Sequence, residues 1–388
     1  MKEHLFTRAL VRPATALGAA AGIFLFSLVD PALAAKGGKP LPPPPPPCVL
    51  EPVLVFHHGT SGTDKDIVVA NEDGTCQTVV ADGSEVQFID PNWLPDGSGI
   101  VFFGSAPQPG LYYLSTEDIE LAKDSNTLPL TPHLLVGITN NWGGARPNPG
   151  PRVEELGNGD RVYEIVYSDD TPNTLDMDIH LLRVQIDAAG SPLAISGPFR
   201  LTDTPSVSEI ASNWLGEDDL ITEYCCIGSP GSEYRIFRLD RTTMPWSLTD
   251  GRSLFAGCEE VQSELGHASW SMMPSHDGER LAIRGDTDIV VVEIDNPCDG
   301  PVSITNNPEW DQGNPTWIPS FYKSGETHLA YTQRFQSKAC GDRGGKLQKP
   351  LAVYTRPDDD FGACSGEKLI EFSAHAIGIN RVHWKPVP

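Results

Sequence analysis

What the chain lacks narrows its reading first. It contains no C-x-x-C pair, no H-E-x-x-H and no G-x-S-x-G. A zinc knuckle, a thioredoxin-like redox centre, a zincin site and a nucleophile elbow therefore have no sequence support. Basic residues are scarce, 28 Lys and Arg against 52 Asp and Glu, for a net charge of −24. A surface of that sign repels nucleic acid and anionic lipid, and it favours solubility, cationic partners or metal ions. A solvated acidic surface is the plainer explanation. Long helical periods are also missing; Ser115 to Lys123 has room for one or two turns. Beyond the N-terminus no run is apolar enough to span a bilayer.

The N-terminus reads as an export signal. Lys2, Arg8 and Arg12 form a charged region, Ala14 to Val29 an apolar stretch, and Ala32-Leu33-Ala34 a small-x-small cleavage site. Removing residues 1–34 takes away three bases and two acids and leaves a charge of −25. Residues 35–50, with six consecutive prolines, read as a stiff polyproline linker. The expected product is a periplasmic or secreted protein with no integral membrane segment after cleavage. Eight cysteines in such a chain imply disulfides. Local pairing is expected for Cys48 with Cys76 and for Cys340 with Cys364. The connectivity of Cys225, Cys226, Cys258 and Cys298 stays open.

What the chain does have is repetition. Asp90-Pro-Asn-Trp-Leu-Pro-Asp-Gly-Ser-Gly-Ile-Val-Phe-Phe-Gly-Ser105 reads as a Trp-bearing strand, a turn at Asp96-Gly97 and a second strand. Fainter copies surround Trp214, Trp270 and Trp317, and a bare Val382-His383-Trp384 ends the series. A third strand follows in each unit, three times opened by Asp-x-Asp-Ile at Asp64, Asp176 and Asp286. Third strands number six. With 37 Gly and 35 Pro to end strands, the fold expected for residues 51–388 is an all-β, six-bladed propeller. The first unit starts at its second strand and the last ends on a Trp strand. Pairing the two would complete the first blade and close the ring. The Trp side chains supply bulk between sheets.

These repeats resemble the TolB-like propeller family, whose units are called PD40 or WD40-like. Pro91-Asn-Trp93-Leu-Pro95-Asp96-Gly97 with Ile100-Val-Phe102 is close to that family's Pro-x-Trp-Ser-Pro-Asp-Gly and Ile-x-Phe pattern. Trp270 with Asp277-Gly278 matches with an insertion, Trp214 and Trp317 match in part, and Arg146-Pro-Asn-Pro149 keeps the position without the Trp. The resemblance implies a propeller over residues 51–388. It departs from TolB itself in carrying a proline tract where TolB has an α/β domain.

Propellers bind at the mouth of the central channel. Three residues ahead of each Trp, or of its equivalent, stand Asp90, Arg146, Ala211, His267, Asn314 and Arg381. This ring suits a carboxylate, a peptide terminus or a sugar acid held by the arginines, with His267 able to titrate near neutrality. The alternative is a polar filling of the channel. The Asp-x-Asp acids offer oxygen ligands for Ca2+, yet one pair per unit is too few, and Asp is favoured in hairpin turns for its own reasons. No cofactor is expected. His57 and His58 are adjacent on a strand and so face opposite ways. Ser61 lacks a strand–elbow–helix setting.

The function expected is an exported binding module, a monomer, holding a protein or glycan ligand at the channel mouth or blade edges. The alternative is a carbohydrate-active or other hydrolytic or lyase propeller, with a site assembled from channel residues that leave no linear motif.

Overall fold

The computed structural model describes residues 48–59, 65–105, 107–139, 145–170, 177–205, 207–226, 233–242, 244–249, 251–265, 272–284, 289–304, 312–318, 328–334, 351–357, 367–371 and 382–386. They belong to the compact unit Cys48–Pro388. The expected leader and most of the proline linker fall outside them, as do Ser61, His267, Trp270, Arg381, Cys340 and Cys364.

The described strands form antiparallel sheets one after another along the chain. The innermost strands are Phe88–Trp93, Asn148–Glu155, Val207–Trp214, Met272–Pro274, Gln312–Ile318 and Val382–Trp384. The last of these closes the first sheet rather than starting a new one. Val382–Trp384 pairs with Leu54–His58 in the register Leu54↔Trp384, Val55↔His383 and Phe56↔Val382. The two ends of the unit thus share one sheet.

Apolar residues fill each gap between neighbouring sheets, giving the molecule its propeller-like arrangement. Val55, Ile67 and Phe102 meet between the first and second sheets, and Trp93 packs into the same gap. Tyr113, Tyr163, Ile165 and Leu182 fill the next. Leu54, Phe56, Ile318, Ala330 and Trp384 join the last sheet to the first. These side chains are almost wholly buried. At about 25 cal/mol per Å2 of apolar surface, such gaps supply the main stabilisation of the fold.

Five of the sheets are regular four-stranded blades, where the sequence leads one to expect six blades. The remaining sheet has five strands, because its outer edge is split. Ser247–Leu248 pairs with Leu239 and Asp240, while Arg252–Ser253 pairs with Arg235 and Ile236. The physical reason lies at Gly251, where an added Cβ would meet Cε1 of Phe237 at 2.4 Å. The edge passes over the Phe237 ring there and pairs on either side of it.

A helix, Thr116–Ser125, is longer than the one or two turns expected. Ser115 Oγ accepts from the Asp118 N–H at its start, and Asn126 closes it in the left-handed conformation at φ 55°. Cys48 is bonded to Cys76, as the sequence predicts, and Cys258 to Cys298, a pairing the sequence left open. The side chains of Cys225 and Cys226 lie outside the described set. Among the described residues no helix is long and apolar enough to cross a membrane.

Candidate functional site

The inner strands share a defect that shapes the channel. In the second sheet Ile89 pairs with Phe103 and Asn92 with Val101, so Asp90 and Pro91 together oppose Phe102. The same two-against-one bulge sets Ala211 and Ser212 against Thr222, and Asn314 and Pro315 against Tyr331. In the third sheet the Ser168 N–H donates to the Ala145 carbonyl while Asn148 pairs with Val166, which places Arg146 and Pro147 there. Three of the first bulge residues have positive φ: 50° at Asp90, 40° at Arg146 and 54° at Ala211. Glycine usually holds such a place, and side chains other than Asp and Asn adopt it at a cost of about 1–3 kcal/mol. The bulge re-aims these side chains.

That tier brings two of the sequence-predicted residues together. Arg146 Nε lies 3.7 Å from Asp90 Oδ2, and both residues are more than nine-tenths buried. The pair attracts electrostatically without a hydrogen bond between the charges. Both Asp90 carboxylate oxygens, and Arg146 Nε and Nη1, lack hydrogen-bond partners. Behind them, the Asp90 N–H donates to Nδ1 of the fully buried His57 at 3.2 Å. His57 therefore carries its neutral-form proton on Nε2 and braces the bulge from the neighbouring sheet. His58, half-buried, has its imidazole pKa lowered by burial, partly offset by Asp66.

The ring expected from the sequence is otherwise incomplete. His267 and Arg381 lie outside the described residues, and Asn314 is placed on its strand by its backbone alone. The fifth sheet also corrects the alignment behind His267. In the reference hairpin the Leu94 N–H donates to the Gly99 carbonyl and the Gly97 N–H to that of Leu94. Ser275, Arg280 and Gly278 repeat this pattern, so the hairpin geometry equates Pro274, and not Trp270, with Trp93. Counting back three positions reaches Ser271 in place of His267. The Asp-x-Asp acids that are described have other partners. Asp66 Oδ1 accepts from the Gly83 N–H at 2.7 Å, and Asp178 accepts from Arg200 Nη2 at 2.7 Å and Nε at 3.1 Å. Among the described residues no group of three or more His, Cys, Asp or Glu is arranged to hold a metal ion.

Two residues further along each inner strand is a tier the sequence reading passed over. Asn92 Nδ2 donates to Asn148 Oδ1 at 3.0 Å, Asn148 Nδ2 to the Ser212 carbonyl at 2.5 Å, and Asn213 Nδ2 to the Met272 carbonyl at 3.3 Å. Each amide thus ties its strand to the following sheet. The Trp residues tie backwards. Nε1–H of Trp214 donates to the Asn148 carbonyl at 3.0 Å, and that of Trp317 to the Met273 carbonyl at 2.8 Å. The recurring Asn92-Trp93, Asn148-Pro149 and Asn213-Trp214 dipeptides were the available signal.

This second tier surrounds a cavity of about 330 Å3 at the hairpin end of the inner strands. Asn92, Asn148, Asn213, Thr316 and His383, from five different sheets, all reach it, and Trp214 forms part of its wall. Thr316 is buried and its Oγ1 has no hydrogen-bond partner. Nearby, His276 Nε2 lies 3.3 Å from the Trp317 carbonyl, which assigns the proton to that nitrogen. Burial lowers the His276 pKa, against the opposing effects of that hydrogen bond and of Asp277, so the ring is neutral near pH 7.

A further titratable group sits between the third and fourth sheets. The Glu209 carboxyl is pushed up to about 7, chiefly by burial. Its Oε2 lies 3.2 Å from Thr202 Oγ1, and its Oε1 has no partner.

No protein-family model matches the chain, and no curated protein matches it. Solved structures do. An oligogalacturonate lyase in complex with manganese shares 12% identity at a TM-score of 0.37, covering 79% of this chain and 86% of its own. A puromycin-hydrolysing peptidase of Mycobacterium tuberculosis shares 13% at 0.39, over 82% of this chain and 44% of its own. Prolyl oligopeptidase B of Galerina marginata, bound to a 25-residue macrocyclisation substrate, shares 11% at 0.34, over 72% and 36%. The chain spans less than half the length of either peptidase.

Proposed function

We propose that the protein is an exported ligand-binding propeller, and that its ligand sits in the cavity at the hairpin end of the channel. One observation carries this reading: polar side chains from five sheets converge on a single space of about 330 Å3. That volume is at the lower end of the range for small-molecule sites, about 300–1,000 Å3. In this reading the five-stranded sheet is the sixth blade of a closed ring, akin to the TolB-like propellers, and the bulge tier supports the site from behind. The Cys48–Cys76 and Cys258–Cys298 disulfides suit the oxidising compartment to which residues 1–34 would direct the chain.

The test is calorimetric titration of the mature protein with soluble glycans and short peptides, repeated with Thr316→Val and Asn92→Asp. A ligand whose affinity falls about tenfold in either variant, the scale of one lost hydrogen bond at roughly 1.4 kcal/mol, supports the reading. Ligands that bind both variants as tightly as the wild type would overturn it. Turnover of a titrated glycan or peptide would favour a catalytic propeller instead.

A further inference from the structure

The channel-end cavity also limits the chemistry of what it can hold. The chain carries 52 acidic and 28 basic residues, yet among the described residues lining this cavity there is no Asp, Glu, Lys or Arg. Among these described residues a cationic ligand would find no carboxylate, and an anionic one no ammonium or guanidinium. The field of a chain with net charge −24 further opposes an anion. The buried Asp90–Arg146 pair does not line the cavity.

The groups that do line it are polar and uncharged. The amide nitrogens of Asn148 and Asn213 are spent on backbone carbonyls, Arg146 and Ser212 for the first and Ala211 and Met272 for the second, so these side chains meet a ligand through their carbonyl oxygens, as acceptors. Thr316 Oγ1 is more than nine-tenths buried with no partner, a costly state for a hydroxyl that a ligand hydroxyl would relieve. His276, neutral and donating through Nε2 to Trp317, keeps Nδ1 as an acceptor. The apolar part of the wall includes the half-buried Trp214 together with Pro149 and Pro274. An indole in the wall beside uncharged hydrogen-bonding groups suits a ligand with both C–H surface and hydroxyls.

Building on the proposed binding role, we infer that the cavity takes a neutral saccharide unit, in preference to a uronic acid or a charged peptide terminus. Trp214 and Thr316 are the residues that recognise it.

The indole N–H resonance of Trp214, assigned by comparison with Trp214→Phe, reports on the cavity directly. Mature protein is titrated with neutral di- and trisaccharides, with uronate-containing counterparts and with dipeptides. Neutral sugars are expected to shift this resonance at concentrations at least about tenfold below any uronate, and Thr316→Val is expected to weaken them by about tenfold. If uronates or dipeptides shift Trp214 as readily, or if no neutral sugar shifts it, the saccharide assignment is overturned while the cavity remains a binding site for whatever does shift it. If ligands bind the protein and none moves Trp214 or responds to Thr316→Val, the cavity reading fails as well.

Discussion

The indole N–H of Trp93 donates to the backbone carbonyl of His383 at 3.3 Å, across 290 residues of sequence. His383 lies on the strand that pairs with Leu54–His58. One hydrogen bond therefore joins the second sheet to the strand that completes the first. Lys385 reinforces the junction, its N–H donating to the Val53 carbonyl at 2.7 Å and its ammonium lying 5.6 Å from the centre of the Trp93 ring.

Stability should depend on this junction out of proportion to its length. Trp384→Ala removes a large buried side chain between the last and first sheets, at an expected cost of about 3–5 kcal/mol. Trp93→Phe keeps most of the bulk but loses the donor to His383, at about 1–2 kcal/mol. Urea denaturation of each variant measures both. A Trp384→Ala protein as stable as the wild type would show that the terminal strand does not hold the last and first sheets together.

The Asp90–Arg146 pair makes a second prediction. Asp90→Ala leaves the Arg146 charge buried without its partner, and breaking a buried pair in this way costs about 3–5 kcal/mol. Asp90→Asn/Arg146→Gln removes both charges, and Asn is among the residues that tolerate positive φ. The double variant is expected to be less destabilised than the sum of its single changes. Additive losses in a double-mutant cycle would mean that the two side chains do not interact.

Glu209 predicts a pH dependence. Its carboxyl is raised from 4.5 to about 7, first by burial and then by the neighbouring Asp178. The folded protein therefore binds this proton more tightly than the unfolded chain does. The contribution is fully present below about pH 4.5 and is lost as pH rises through about 7. Glu209→Gln, permanently neutral, should flatten this fall and unfold later than the wild type at pH 8, by on the order of 1–3 kcal/mol. Thermal melts from pH 5 to 8 follow it. Parallel curves for the two proteins would remove Glu209 as the cause.

Gly251 tests the origin of the split edge. Gly251→Ala places a methyl group against the buried Phe237 ring, 2.4 Å from Cε1 before any relaxation, and overpacking of this kind costs about 1–3 kcal/mol. Phe237→Leu in the same background is expected to recover part of the loss. Failure of that rescue would locate the constraint elsewhere.

Sequence alone determined the parts of this protein that are local or periodic. Alternating apolar strands with Asp-Gly turns declared an all-β chain, because strand period and turn chemistry are properties of neighbouring residues. The mismatch between a first unit lacking its Trp strand and a last unit consisting of little else foretold the pairing of Leu54–His58 with Val382–Trp384. The expected count of six blades failed at the sheet split near Gly251, because a split outer edge depends on where the Phe237 ring lies.

The tertiary structure decided what lies between the sheets. Pro274 and not Trp270 matches Trp93, since hairpin hydrogen bonds, and not the nearest Trp, fix the register of the fifth sheet. Asp90 and Arg146 meet because bulges on separate strands turn both side chains into one gap. Asn92, Asn148 and Asn213 look like ordinary turn-flanking residues in the sequence. They become a belt around a cavity only when three sheets stand side by side, and that is a property of the packed sheets and of no single repeat.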